Sequence, residues 1–220
     1  MFTIENGLFK FDLTDYHAVL GLPIKAEGKE IRKRYLKIAQ ALHPDTCKAV
    51  SDSEKRAANQ LLSKLVNPAY ENLSKDQTRK EHQLVLAQIG KRLAGEANKI
   101  TIGSDPAREL FQAQDNVEAV YQKLINEIST HQYASLKDVL IKIAQLSELN
   151  LVYLMVTQGQ NINRNQESQS SNSNSQTGTQ QTNQNPTTPE KPKNPYLRRG
   201  QEYIEKNNFA KAVFELREGL

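Results

Sequence analysis

The sequence is poor in several things, and each shortage excludes a class of protein. It has a single cysteine, Cys47, in 220 residues. No internal disulfide framework can therefore hold it together, and a reducing compartment, the cytoplasm, is expected. Hydrophobic residues make up 37% of the chain and the mean hydropathy is -0.67. That is low for one packed globule of this length, so part of the chain is expected to stay unfolded. No cationic, apolar leader opens the sequence, and no secretory signal is expected. The longest apolar run, LVYLMV at 151–156, falls far short of the roughly 20 residues that cross a bilayer, so no membrane span is expected. The excess of basic over acidic residues is small too. A formal charge of +4 suits an acidic partner surface without demanding nucleic acid.

Catalytic groups are equally thin. His17, His43, His82 and His131 are scattered and show no metal-ligand spacing with Cys47. No Gly-rich phosphate loop or nucleophile motif occurs. The chain reads as a non-enzyme with no catalytic residue, metal or cofactor.

What the sequence does have is helical periodicity, and a mostly α fold is expected. Residues 1–13 read as an extended arm. From 14 to 82 runs a helix-rich unit, expected to fold as a short helical hairpin bundle. Thr14 or Asp15 can cap a short helix that Gly21 and Pro23 end. A second helix is expected from about Glu27 to Leu42, where Ile31, Tyr35, Ile38 and Leu42 fall on one face of a 3.6-residue period. A third should begin near Ser51 or Asp52 and bury Ala58, Leu61, Leu62, Leu65, Val66, Ala69, Tyr70 and Leu73, with Pro68 kinking it. The charged stretch 75–82 reads as a short, mostly solvated fourth helix.

Between the second and third helices stands ALHPDTCKAV, residues 41–50. Pro44 disfavours α geometry at His43, so the helix should stop there. A plain loop accounts for the turn but not for a His and an Asp flanking the Pro. The helix before it crowds Lys29, Arg32, Lys33, Arg34 and Lys37 on its outer surface, with no acid after Glu30 to neutralise them.

The pieces DYHAVLGL, IRKRYLKIAQALHPD, NPAYENLS and DQTRKEH occur in the order, and at nearly the spacing, of the J domain of DnaJ-type co-chaperones. The segment 14–82 resembles that family. The resemblance implies docking on a DnaK-type chaperone and stimulation of its ATP hydrolysis. The family's His-Pro-Asp falls on His43, Pro44 and Asp45, and its electrostatic docking positions fall on Arg32, Tyr35 and Lys37. Leu36 stands where many J domains have another basic residue. The family's Gly/Phe-rich and four-cysteine regions have no counterpart here, which points to the divergent, specialised class.

Residues 84–158 read as a helical region of unknown role. Leu86, Ile89, Leu93, Ala97 and Ile100 share one side of a first helix. Asp105 as N-cap and Pro106 at the first helical position open a second, along which Leu110, Val117, Tyr121, Leu124 and Ile128 follow a heptad-like spacing across Gln114. A last segment runs from Ser135 to about Thr157, and its apolar end at 151–156 is expected to be buried or to form an interface. Residues 159–195, rich in Gln, Asn, Ser and Thr, read as a disordered linker. The end, 196–220, resembles one tetratricopeptide repeat, a helix-turn-helix pair. Gly200, Tyr203, Phe209, Ala212 and Leu216 fall on its small and aromatic positions. One such repeat cannot bury its own apolar face, so Tyr203, Phe209, Ala212 and Leu216 are expected to contact a partner, a client or another part of the chain.

Three functions follow as expectations. The first is a co-chaperone whose C-terminal regions recruit a client or partner. The second is a J-domain scaffold or assembly subunit without ATPase-stimulating activity. The third, a nucleic-acid binder, is disfavoured by the modest charge and the missing stacking module.

Overall fold

The structure, a computed structural model, describes residues 4–43, 46, 51–96, 100–113 and 116–171 together with residues 199, 202, 203 and 211; over 160–171 only the backbone is described. Every element among the described residues is helical, as the 3.6-residue spacing of the apolar side chains requires.

The arm expected to be extended instead forms one 3-10 turn, Gly7–Phe11. Leu8 in that turn is fully buried, and its N–H donates to Ser147 Oγ at 2.9 Å. Leu13 is buried as well, and Ile4, Phe9 and Phe11 pack against the core, so apolar burial anchors the arm. Helix α1, Tyr16–Leu20, starts at Asp15, whose carboxylate accepts from Ala18 N–H, and ends at Gly21 in the left-handed region at φ 64. Helix α2, Gly28–Leu42, opens on a capping box between Glu27 and Glu30 and buries Ile31, Ile38 and Leu42.

The third expected helix divides. Helix α3, Asp52–Leu61, begins at a Ser51–Glu54 capping box and runs into a wide π turn, Leu62–Val66, where Asn67 N–H donates to Leu62 O. Helix α4, Asn67–Ser74, follows with Pro68 in its first turn. Pro68 offers no N–H and its ring crowds the carbonyl four residues back, so the turn before it widens rather than breaks.

The solvated fourth helix is not what forms. Helix α5 is continuous over Asp76–Gly95 and joins the charged stretch to the apolar pattern after it. Glu81 and His82, expected in solvent, are buried because α5 lies between the N-terminal helices and the rest of the chain. The heptad-like stretch is likewise two helices, α6, Asp105–Gln112, and α7, Val117–Thr130. The α6 N-cap is Ser104, not Asp105.

Helix α8, Val139–Ser171, is the centre of the fold, with α1, α5, α6, α7 and the 3-10 turn packed on it. Two expectations are decided here. The backbone of α8 continues through 159–171, the first part of the expected linker; the remainder, 172–195, lies outside the described residues. The apolar end at 151–156 is intramolecular core, with Leu151 to Met155 all buried. The stretch Val139–Gly159 of α8 is long and apolar enough by composition to cross a bilayer, yet 67% of its 18-residue apolar window is buried inside this fold. Counting only the unbroken run 151–156 hid that length, because the polar Gln145, Ser147, Glu148 and Asn150 interrupt the run.

Candidate functional site

Helical geometry puts Arg32, Leu36 and His43 on one outward stripe of α2, at i, i+4 and i+11. All three are exposed, as are Lys29, Lys33 and Lys37 along one side of that stripe. The helix ends at His43, whose backbone turns extended at φ -65, ψ 135 while its N–H still donates to Ala39 O. Thr46 closes the turn. Its N–H donates to His43 O at 3.0 Å and its hydroxyl to Gln40 O. Pro44, Asp45 and Cys47 lie outside the described residues. A run of cations on a rigid helix, ending in a sharply turned loop, can steer an acidic surface and present a short-range contact to it.

Tyr35 stands apart from that face. It is half-buried, its ring stacks on Tyr70 at 4.0 Å, and its hydroxyl donates to Asn67 Oδ1 at 3.1 Å. Its first role is to brace α2 against α4.

Arg34 leaves the basic face altogether. Its guanidinium donates to Leu20 O at 2.9 Å, to Ser129 O and to Gln132 Oε1 at 3.3 Å. The signal was present in the period: Arg34 lies three residues after Ile31 and four before Ile38, at the edge of the buried stripe.

The same place shows how α1 is held. A helix C-terminus leaves carbonyls without intrahelical donors. Here Gln132 Nε2 donates to Ala18 O and Val19 O at 2.9 and 3.1 Å. Tyr133 donates to Val19 O at 2.7 Å, and Arg34 takes Leu20. The segment after α7 thereby supplies the C-terminal cap of a helix more than a hundred positions earlier. It also stands beside α2 and α3, where an open cavity of about 1030 Å³ is lined by Lys37, Thr46, Ala57, Ala134 and Lys137, among others. Nothing in the local sequence of 131–137 signals either role.

Residues 15–83 match the family model described as the DnaJ domain. Residues 15–83 are a J domain.

The chain is 39% identical over 80 residues to J protein JJJ2 of Candida glabrata, covering 36% of this chain and 16% of that protein. It is 27% identical over 158 residues to the mitochondrial DnaJ homolog l(2)tid of Drosophila melanogaster, covering 67% of this chain and 29% of that protein. With chaperone protein DnaJ of Chlorobium phaeobacteroides the identity is 35% over 100 residues, 45% of this chain and 24% of the other. The chain thus spans less than a third of each of these relatives. No solved structure matches it significantly.

The J domain does not end at a break in structure. Helix α5 carries on past residue 83 to Gly95, so the J domain and the following region share a helix. Among the residues expected to contact partners through the C-terminal end, Phe209, Ala212 and Leu216 lie outside the described residues. Tyr203 is half-buried and packs against the hydrophobic core, with Lys211 Nζ 5.8 Å from its ring centroid. Among the described residues no group of three or more His, Cys, Asp or Glu comes together as metal ligands.

Proposed function

We propose that this protein is a co-chaperone that docks its J domain on a DnaK-type chaperone and stimulates ATP hydrolysis there. Arg32 and Lys37 steer the encounter, Tyr35 keeps α2 in place while offering its ring edge, and His43, Pro44 and Asp45 make the short-range contact. The observation that carries this reading is the alignment of Arg32 with His43 on one exposed stripe of α2, with cations flanking it. The C-terminal regions recruit a client or partner, with Phe209, Ala212 and Leu216 as contact residues, while Tyr203 ties this end to the chain's own core. A cytoplasmic setting, inferred from the lone cysteine, belongs to the same proposal.

The test is the steady-state ATPase of a purified DnaK-type chaperone from the source cell, with wild-type protein and with His43→Gln. Wild type should stimulate and the variant should not, at unchanged helicity. Binding without stimulation by wild type would replace this reading with that of a scaffold subunit.

A further inference from the structure

The cavity beside Thr46 is a groove with walls from two parts of the chain. One wall comes from the end of α2 and the start of α3, the other from residues 133–137, outside the J domain. Small or apolar side chains, Ala57, Ala134 and Leu136, line it, and Lys37 and Lys137 stand on opposite walls. Both lysines are exposed. The groove's acid, Glu54, is engaged in capping α3, where its carboxylate accepts from Ser51 N–H at 3.3 Å.

The outer wall is rigid. Tyr133 and Gln132 are bonded to the carbonyls of α1, and Lys142 Nζ donates to His131 O at 2.6 Å. The distance between the two lysine-bearing walls is therefore set before any partner arrives, which spares a bound segment part of the ordering cost.

We propose that this groove is a second contact site for the DnaK-type chaperone, taking an acidic segment with small apolar side chains; the proposal rests on the co-chaperone reading above. Its mouth, at Lys37 and Thr46, is continuous with the exposed stripe that ends at His43. Charge decides among the occupants. A second copy of this chain carries a formal +4, and residues 196–220 hold five basic and four acidic side chains, so neither complements a lysine-rimmed groove. The 133–137 wall then makes the region after the J domain part of the docking surface, and selects chaperones by the acidity of a segment that α2 alone does not reach.

The experiment uses the full chain with the purified chaperone and ATP. Lys137→Glu should weaken binding about five- to ten-fold at low salt, chiefly by slowing association, as for an exposed rim charge. Ala134→Trp, which fills the groove without changing charge, should weaken binding at high salt as well as low. Benzoylphenylalanine in place of Ala134 should photo-crosslink to the chaperone. Adducts only to this chain's own tail or to a second copy, or no adduct at all, would overturn the assignment. If wild type binds, His43→Gln abolishes stimulation, and both groove variants bind as wild type does, the groove assignment alone fails. If wild type neither binds nor stimulates, the co-chaperone reading and the groove fall together.

Discussion

The side-chain amide of Asn150, in α8, donates to both carboxylate oxygens of Asp15, the N-cap of α1, at 3.2 and 3.0 Å. Its carbonyl accepts from Tyr121 OH at 2.7 Å, and Tyr121 accepts in turn from Ile24 N–H at 3.1 Å. All of these side chains are buried, and burial raises the Asp15 pKa. The J domain's first helix is therefore capped by a group that α8 holds in position.

Asn150→Leu should accordingly destabilise the whole protein. It strips Asp15 of two donors and leaves the Tyr121 hydroxyl without its acceptor, at about 3 kcal/mol for groups buried this deeply. Urea unfolding followed by circular dichroism reads the change. A midpoint within error of wild type would mean that the network is incidental to folding.

Neighbouring arginines on α2 should behave in opposite ways. Arg34→Ala removes donors from Leu20 O and Ser129 O and should cost about 2 kcal/mol of stability, with little effect on the rate of association with a chaperone. Arg32→Ala with Lys37→Ala should leave melting nearly unchanged and slow association, an effect that fades when salt brings the screening length to about 8 Å. The pairing is wrong if Arg34→Ala melts like wild type, or if the Arg32/Lys37 variant associates at the wild-type rate in low salt.

Acid should weaken the contact between α1 and α5. His82 stacks on His17 at 5.5 Å and against Tyr16 at 4.8 Å. Burial lowers its pKa to about 4. The His17 pKa is also lowered, by burial first and then by His82 and Arg79. Neither ring nitrogen of His17, nor Nε2 of His82, has a hydrogen-bond partner among the described residues. The unfolded chain takes up these protons first. Stability is thus full above pH 6.5, falls as pH drops from there, and for the His82 share levels off below about pH 4. At about 1.4 kcal/mol per pH unit that share is about 3 kcal/mol. His82→Phe keeps a ring in the stack and should flatten part of the slope. Identical midpoint-versus-pH curves for variant and wild type would remove His82 from the account.

Gly7→Ala should detach the arm. Gly7 sits at φ 64, and a Cβ there would overlap the Ser147 carbonyl carbon and the Glu148 nitrogen of α8. Left-handed strain with a backbone clash should cost about 2 kcal/mol or more, and limited proteolysis should then cut within residues 1–13. Wild-type protease resistance would show that the arm has room to adapt.

Much of the J domain was legible in the chain order. The ends of α1, the buried face of α2 and the exposed cations at Arg32 and Lys37 follow from interactions three or four residues apart, which any short window contains. The continuity of α5 was harder to see, because a charged stretch, 75–82, precedes an apolar one. Only the helices packed on both sides make Glu81 and His82 interior residues.

The sequence by itself determined where α1 and α2 start and stop, since caps, glycines, prolines and 3.6-residue spacing act locally. It also determined that a cationic stripe would lead into His43-Pro44-Asp45. Which polar groups satisfy the ends of α1, and that Arg34 turns inward while Arg32 stays out, only the tertiary structure decided. So too did the placement of residues 133–137 beside Thr46 and the facing ends of α2 and α3. A buried carbonyl must find a donor, and nothing within a few residues of Val19 could supply it. The donors at Gln132 and Tyr133 arrive from more than a hundred positions away, and α8 brings them there by packing.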